Sequence, residues 1–379
     1  MFIKKLITRF IKPSIIFESV PDFSDNARMV YDEMVREGYG KRNRLVWFID
    51  WNKCAYLKNG KAVYWSPDDN KTLLQRVRSY SYYKKTKCII TCYRFIPSKG
   101  YVSGDGLVSI YLSHGTPMKS VKDYYTSPGK VDYILSPSDN LNEVMAREFS
   151  FKIEQVFVAG FPRNDYFANP AFNMKEKIGI KCEKIVAWLP TYRQHFNNGI
   201  TTSSITLPLI HDNDCAIAIN KAAEEAGIII LLKPHPAQDI SFIHDLGLSN
   251  IKLINEEFLN EHKLNLYELL RNTDALITDY SSVYFDYLLC DRPIGVVWED
   301  IDEYSRFPGF AVDLDYYLKG AEKIFSIDDM IKFLTDIAEG RDGLQKERRE
   351  IRDYTNISTD GKNTIRVVDF IAKEAALKR

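Results

Sequence analysis

The chain has 379 residues, 45% hydrophobic and 27% charged, with 51 basic residues balanced by 51 acidic ones. That length suits two ordinary domains or one large one, and the composition is that of a soluble globular protein. Zero net charge argues against nucleic acid as a partner, since backbone binders carry a basic excess, and no segment reaches the roughly 20 apolar residues that cross a bilayer.

The opening stretch, "MFIKKLITRFIKPSIIF", places Phe2, Ile3, Leu6, Ile7, Phe10 and Ile11 at helical spacing, with Lys4, Lys5, Arg9 and Lys12 among them. Its apolar stretches are too broken for a signal-peptide core. Two readings stand: a helix packed on its own domain, or a basic amphipathic helix lying on an anionic membrane surface. Short apolar runs then follow at 44–49, 88–93, 107–112, 132–136 and 155–160. After a charged interval, further runs come at 184–189, 227–232, 250–254, 274–278 and 293–298, and from about Ser358 the tail reads as a helix. Continuously apolar strands alternating with helices predict parallel sheets covered on both faces. The fold class is therefore α/β, as two Rossmann-like domains facing a central cleft. The stretch "AFNMKEKIGIKCEK" lacks a strand pattern, so the domains are taken as 1–170 and 171–379. The final helix is expected to pack back toward the N-terminal domain. The six cysteines, with no CxxC pair, read as reduced core thiols of a cytoplasmic protein.

Six of these strands end in polar clusters. They are Ser113-His114-Gly115-Thr116, Ser136-Pro137-Ser138-Asp139, Phe161-Pro162-Arg163-Asn164-Asp165, Pro190-Thr191-Tyr192-Arg193, Lys233-Pro234-His235 and Asp279-Tyr280-Ser281-Ser282. Ligands of open α/β sheets bind outside the carboxyl ends of the strands. The basic side chains His114, Arg163, Arg193, Lys233 and His235, with the hydroxyls of Thr116, Ser281 and Ser282, suit a phosphorylated ligand. Each also has a plainer reading: Lys233 as a solvated charge, Asp279 as a turn cap, Ser281 or Ser282 as a helix cap. Neither GxxxxGK[ST] nor GxGxxG occurs. The histidines are widely separated, so no metal or other cofactor is expected.

"SHGTPMK" (113–119), "GFPRND" (160–165), "LPTYR" (189–193), "LLKPHP" (231–236) and "LITDYSSVYFDYLLCDRPI" (276–294) resemble, in order and spacing, the CDP-glycerol glycerophosphotransferases of teichoic acid synthesis. "IIFESVPDFSDNARMVYDEM" (15–34) and "STDGKNTIRVVDFI" (358–371) extend the resemblance along nearly the whole chain. It implies a glycosyltransferase-B-like fold with the nucleotide on the C-terminal domain. The implied reaction is attack by an acceptor hydroxyl on the β-phosphorus of CDP-glycerol, releasing CMP. The acceptor would be a lipid-linked saccharide or a growing polyol-phosphate chain, for a teichoic acid or capsule-like polymer. On these positions His114 becomes the general base, and an imidazole that titrates near pH ~6.5 suits proton acceptance at neutrality. His235 is the second catalytic histidine and holds the diphosphate with Lys233, while Arg193 adds charge. Ser281 and Ser282 take phosphates, and Asp279 orients neighbours or a donor hydroxyl. Gly115, Thr116, Arg163, Asn164 and Asp165 complete the cleft. The segment 306–320 departs from the family's pattern, which leaves the donor as CDP-glycerol or CDP-ribitol. Expected partners are the CDP-polyol, the acceptor and an anionic membrane surface, with the protein cytoplasmic and peripheral to the cell membrane's inner face. Two alternatives are a nucleotide-sugar glycosyltransferase or UDP-sugar 2-epimerase of the same architecture, and a non-catalytic scaffold.

Overall fold

The structure is a computed structural model that describes residues 12–48, 63–65, 85–93, 106–122, 131–191, 207–235, 238, 243 and 246–379. Residues 2–11 of the opening amphipathic stretch, Cys54 and Arg193 lie outside the described residues. The chain divides into two units. One comprises Met1–Thr116, Lys122–Asp165 and Asn356–Arg379; the other comprises Pro117–Val121 and Tyr166–Thr355.

The first unit carries a parallel sheet of β1 (Ser14–Glu18), β2 (Arg44–Phe48), β3 (Val63–Trp65), β4 (Thr86–Thr91), β5 (Val108–Tyr111), β6 (Tyr133–Ser136) and β7 (Val156–Val158). Their order is β3-β2-β1-β4-β5-β6-β7. β1 is buried at every residue and lies between β2 and β4. The sequence reading placed its first strand at 44–49 and none here. Pro13 lacks a backbone donor and resists helix continuation, and the buried run after it pairs on both sides instead.

Helix Asp25–Arg36 seats Val30 and Met34 in the core, and the Tyr31 ring packs 5.3 Å from Phe17 and 5.5 Å from Trp47. The last helix, Asn363–Glu374, lies beside it with Val367, Val368 and Ile371 buried. Phe370 stacks on Phe157 of β7 with ring centroids 3.8 Å apart, whereas Ile365 is exposed. Gly160 makes the close seating possible: a Cβ there, at φ +78°, would lie 2.3 Å from Asn363 Oδ1.

The second unit's sheet is also parallel: β8 (Lys184–Trp188), β9 (Ile228–Leu232), β10 (Ile251–Leu253), β11 (Ala275–Thr278), β12 (Ile294–Val297) and β13 (Glu322–Ile324). The order β10-β9-β8-β11-β12-β13 is the Rossmann order, in which the chain reverses direction across the sheet between β8 and β11. Helices Asn213–Glu225 and Ile327–Ala338 pack together on Val186, Trp188 and Ile230. Each is held at its start by a cap: Asp212 accepts from Cys215 N at 2.8 Å, and Ser326 from Asp329 N at 3.2 Å. Five described cysteines are free; Cys88 and Cys92 are buried, but Cys182, Cys215 and Cys290 are only partly so.

Candidate active site

In the first unit the site grows from the turn after β5. Ser113 sits in the left-handed region at φ +60°, as does Asp25 at φ +58°, the first residue of helix Asp25–Arg36. For L-residues that conformation costs about 1–2 kcal/mol each, so the surroundings must enforce it. They do: the Asn26 amide donates to the carbonyls of Leu112 (3.3 Å) and Ser113 (3.1 Å). The Ser113 hydroxyl donates to Gly115 O at 3.0 Å. Gly115, at φ +126°, supplies a conformation that a side chain would resist.

This turn presents His114 to Asp25. His114 Nδ1 lies 2.8 Å from Asp25 Oδ2, while Oδ1 accepts from Arg163 Nη1 at 2.9 Å and from Asn26 N at 2.8 Å. Burial works against charge on Asp25, but the Arg163 guanidinium and the hydrogen-bonded His114 outweigh it. They hold the carboxyl well below the usual carboxylate range. An ionised carboxylate only accepts, so the proton sits on His114 Nδ1 and a neutral ring keeps its lone pair on Nε2. The side chain is 36% exposed, enough for the ring edge to be reached. Tyr93 flanks it with ring centroids 5.2 Å apart.

Asp25 is the residue that sequence reasoning missed. Arg163 is buried and serves Asp25, while Thr116 and Asn164 are buried. Asp165 turns to the last helix, accepting from the backbone N–H of Asn363 (2.9 Å) and Thr364 (2.8 Å) and from the Thr364 hydroxyl (2.6 Å). It is a helix cap, satisfying donors that the helix cannot satisfy itself.

In the second unit the elements converge at the β8–β11 reversal. Asp279, fully buried, accepts from Thr191 N at 2.8 Å and from the Thr191 hydroxyl. The Thr278 hydroxyl donates to Leu189 O at 2.8 Å. Asp279 therefore ties the two strand ends together. Ser281 and Ser282 follow, half-buried; Ser281 Oγ accepts from Val283 N at 3.4 Å, and Ser282 makes no capping bond to helix Val283–Tyr287. From the end of β9, Lys233 pairs with Glu256 at 3.1 Å and His235 is exposed. Partial burial, then the charges of Lys233 and Lys119, lower the His235 pKa from the ordinary imidazole value.

Residues 1–373 match the family described as CDP-Glycerol:Poly(glycerophosphate) glycerophosphotransferase. The chain belongs to that family. This glycerophosphotransferase is 27% identical over 347 residues to the teichoic acid poly(glycerol phosphate) polymerase of Bacillus spizizenii, covering 82% of this chain and 81% of that one. It is 26% identical to the teichoic acid glycerol-phosphate primase of Bacillus subtilis, covering 70% of this chain and 62% of that one. Among solved structures, the wall teichoic acid polymerase TagF superposes with a TM-score of 0.73 at 23% identity, over 97% of this chain and 90% of that one. That likeness supports the glycosyltransferase-B-like fold class. A UDP complex of S. aureus MnaA shares the fold more distantly, with a TM-score of 0.53 at 11% identity over 97% of this chain and 98% of that one. Membership of that family makes the chain a CDP-glycerol glycerophosphotransferase by class, and the nucleotide-sugar alternative is not favoured.

Proposed function

We propose that His114 is the general base of this transfer and that Asp25 is its orienting carboxylate. The observation that carries the reading is the 2.8 Å contact from His114 Nδ1 to a carboxylate that is itself held ionised. Nε2 takes the proton of the acceptor hydroxyl as its oxygen bonds to the β-phosphorus of CDP-glycerol. The bond from that phosphorus to the bridging oxygen breaks, and CMP leaves with the electron pair. Asp25 stabilises the imidazolium that forms, and Arg163 keeps Asp25 charged. Positioning and charge neutralisation supply most of the acceleration in phosphoryl transfer. Lys233 and His235, with Arg193 and the hydroxyls of Ser281 and Ser282, hold the diphosphate. Asp279 fixes the strand ends that present them.

The acceptor in this reading is a hydroxyl of a lipid-linked saccharide or of a growing polyol-phosphate chain. Among the described residues no helix is long and apolar enough to cross a membrane. The cations of residues 2–12 would draw the chain to an anionic surface at about 1 kcal/mol each. Deleting 2–12 should then release the protein from anionic vesicles while sparing activity on a soluble acceptor. The function itself is tested by incubation with CDP-glycerol, CDP-ribitol and UDP-sugars. Release of CMP from CDP-glycerol is expected, and release of UDP alone would reject the reading.

A further inference from the structure

Lys119 closes the "SHGTPMK" segment, yet it has no part in the site just described. The chain leaves the first unit after Thr116, and Pro117–Val121 is built into the second. There Lys119 pairs antiparallel with Phe310. Ser120 N donates to Gly309 O and Ala311 N to Met118 O, both at 2.9 Å, and the Met118 side chain is buried. The Lys119 ammonium lies 6.0 Å from the centre of the Tyr304 ring. Tyr304 and Phe310 in turn pack on Tyr280, with centroids 4.6 and 5.3 Å away. Tyr280 stands between Asp279 and Ser281, so the packed rings of Tyr304 and Tyr280 link Lys119 to the Asp279–Ser282 turn.

We propose that Lys119 is a donor-site residue, a further cation for the diphosphate of the CDP-polyol beside Lys233 and His235. The inference rests on the reading of CDP-glycerol as donor. Like charges gathered at one site repel and disfavour one another's charged forms, and the field of Lys119 is already felt at His235. Such crowding is relieved when an anion comes among the cations. A nucleoside diphosphate diester, with one negative charge on each phosphate, is such an anion. The Lys119 ammonium rests over the Tyr304 face, and on its flexible four-carbon stem it can leave that weak contact for a phosphate.

The test uses the full chain with CMP, CDP-glycerol and cytidine as probes, comparing wild type with Lys119→Met and Lys119→Arg. Methionine keeps the apolar stem and removes the charge. Lys119→Met should weaken CMP at least about tenfold, consistent with loss of one charge-assisted contact, and leave cytidine unchanged; Lys119→Arg should stay near wild type. In an NMR titration the His235 pKa should rise in Lys119→Met, because a neighbouring cation has gone. Unchanged CMP affinity in Lys119→Met overturns the inference, and so does equal weakening of CMP and cytidine, which marks a packing role. Should the methionine variant fail to fold, Lys119→Gln is judged by the same ratio. A wild-type protein that binds neither CMP nor CDP-glycerol overturns the donor reading itself, a separate result.

Discussion

The two units set their candidate histidines in opposite surroundings. In the first, His114, Asp25, Arg163 and Asn26 form one network, with Asp25 in left-handed backbone and its carboxylate accepting three donors. In the second, Lys233 leans on Glu256, a carboxylate 60% exposed, and His235 stands at the surface. The contrast follows the chemistry. A proton acceptor must offer one nitrogen in one direction, which a carboxylate buried among its donors can enforce. A phosphate-holding cation needs to exchange its partner for a ligand, and an exposed ion pair is worth little enough to give way.

That contrast can be broken most severely at its centre. His114→Ala removes the base and should lower turnover by roughly 10²–10⁴-fold, with CDP-glycerol still bound; near-normal turnover in a folded variant would take His114 out of the mechanism. Asp25→Asn leaves a base but frees its ring. Loss of a charge-assisted hydrogen bond worth about 1.5–3 kcal/mol implies roughly a 10–10²-fold fall in kcat. Asp25→Glu should restore part of that rate, whereas an unaltered pH–rate profile in Asp25→Asn would separate Asp25 from the base.

The second unit should respond in binding. His235→Ala is expected to weaken CMP about tenfold, on the same scale for a charge-assisted contact, without changing acceptor saturation. Because the free His235 pKa is lowered, the ring is mostly neutral at neutral pH. CDP-glycerol affinity should therefore increase as pH falls through that pKa and the ring gains its charge, since a diphosphate diester takes up no proton in that range. Calorimetry across pH would show this slope in wild type and its absence in His235→Ala; the same slope in both would clear His235 of the role. The smallest effect belongs to stability. Asp165→Ala strips the cap of helix Asn363–Glu374 and should cost about 1–2 kcal/mol, read as a lower melting temperature with CMP affinity unchanged.

The sequence shows the sheets better than it shows the base. The runs that became β2 and β4–β12 are apolar stretches bounded by turns, and parallel strands buried on both faces are recognisable for that reason. β1 was hidden behind the basic stretch before it. β13 is an edge strand of three residues, two of them charged, with no periodicity to read. The strand-end rule picked out His114, Lys233, His235 and Asp279 as candidates. It missed Asp25, which opens a helix and meets its histidine across 89 residues of chain, a pairing that no local pattern announces. The same rule picked out Asp165, whose donors in the structure are Asn363 and Thr364, far along the chain.

Those donors set the order in which the protein can be completed during synthesis. Asp165 waits for Asn363 and Thr364, which leave the ribosome 198 and 199 residues later. By then all of Tyr166–Thr355, the bulk of the second unit, has already been made. Until the last helix arrives, Phe157 and the neighbouring face of the first sheet lie bare, the kind of surface that draws chaperones or other chains. The unit that is begun first is finished last.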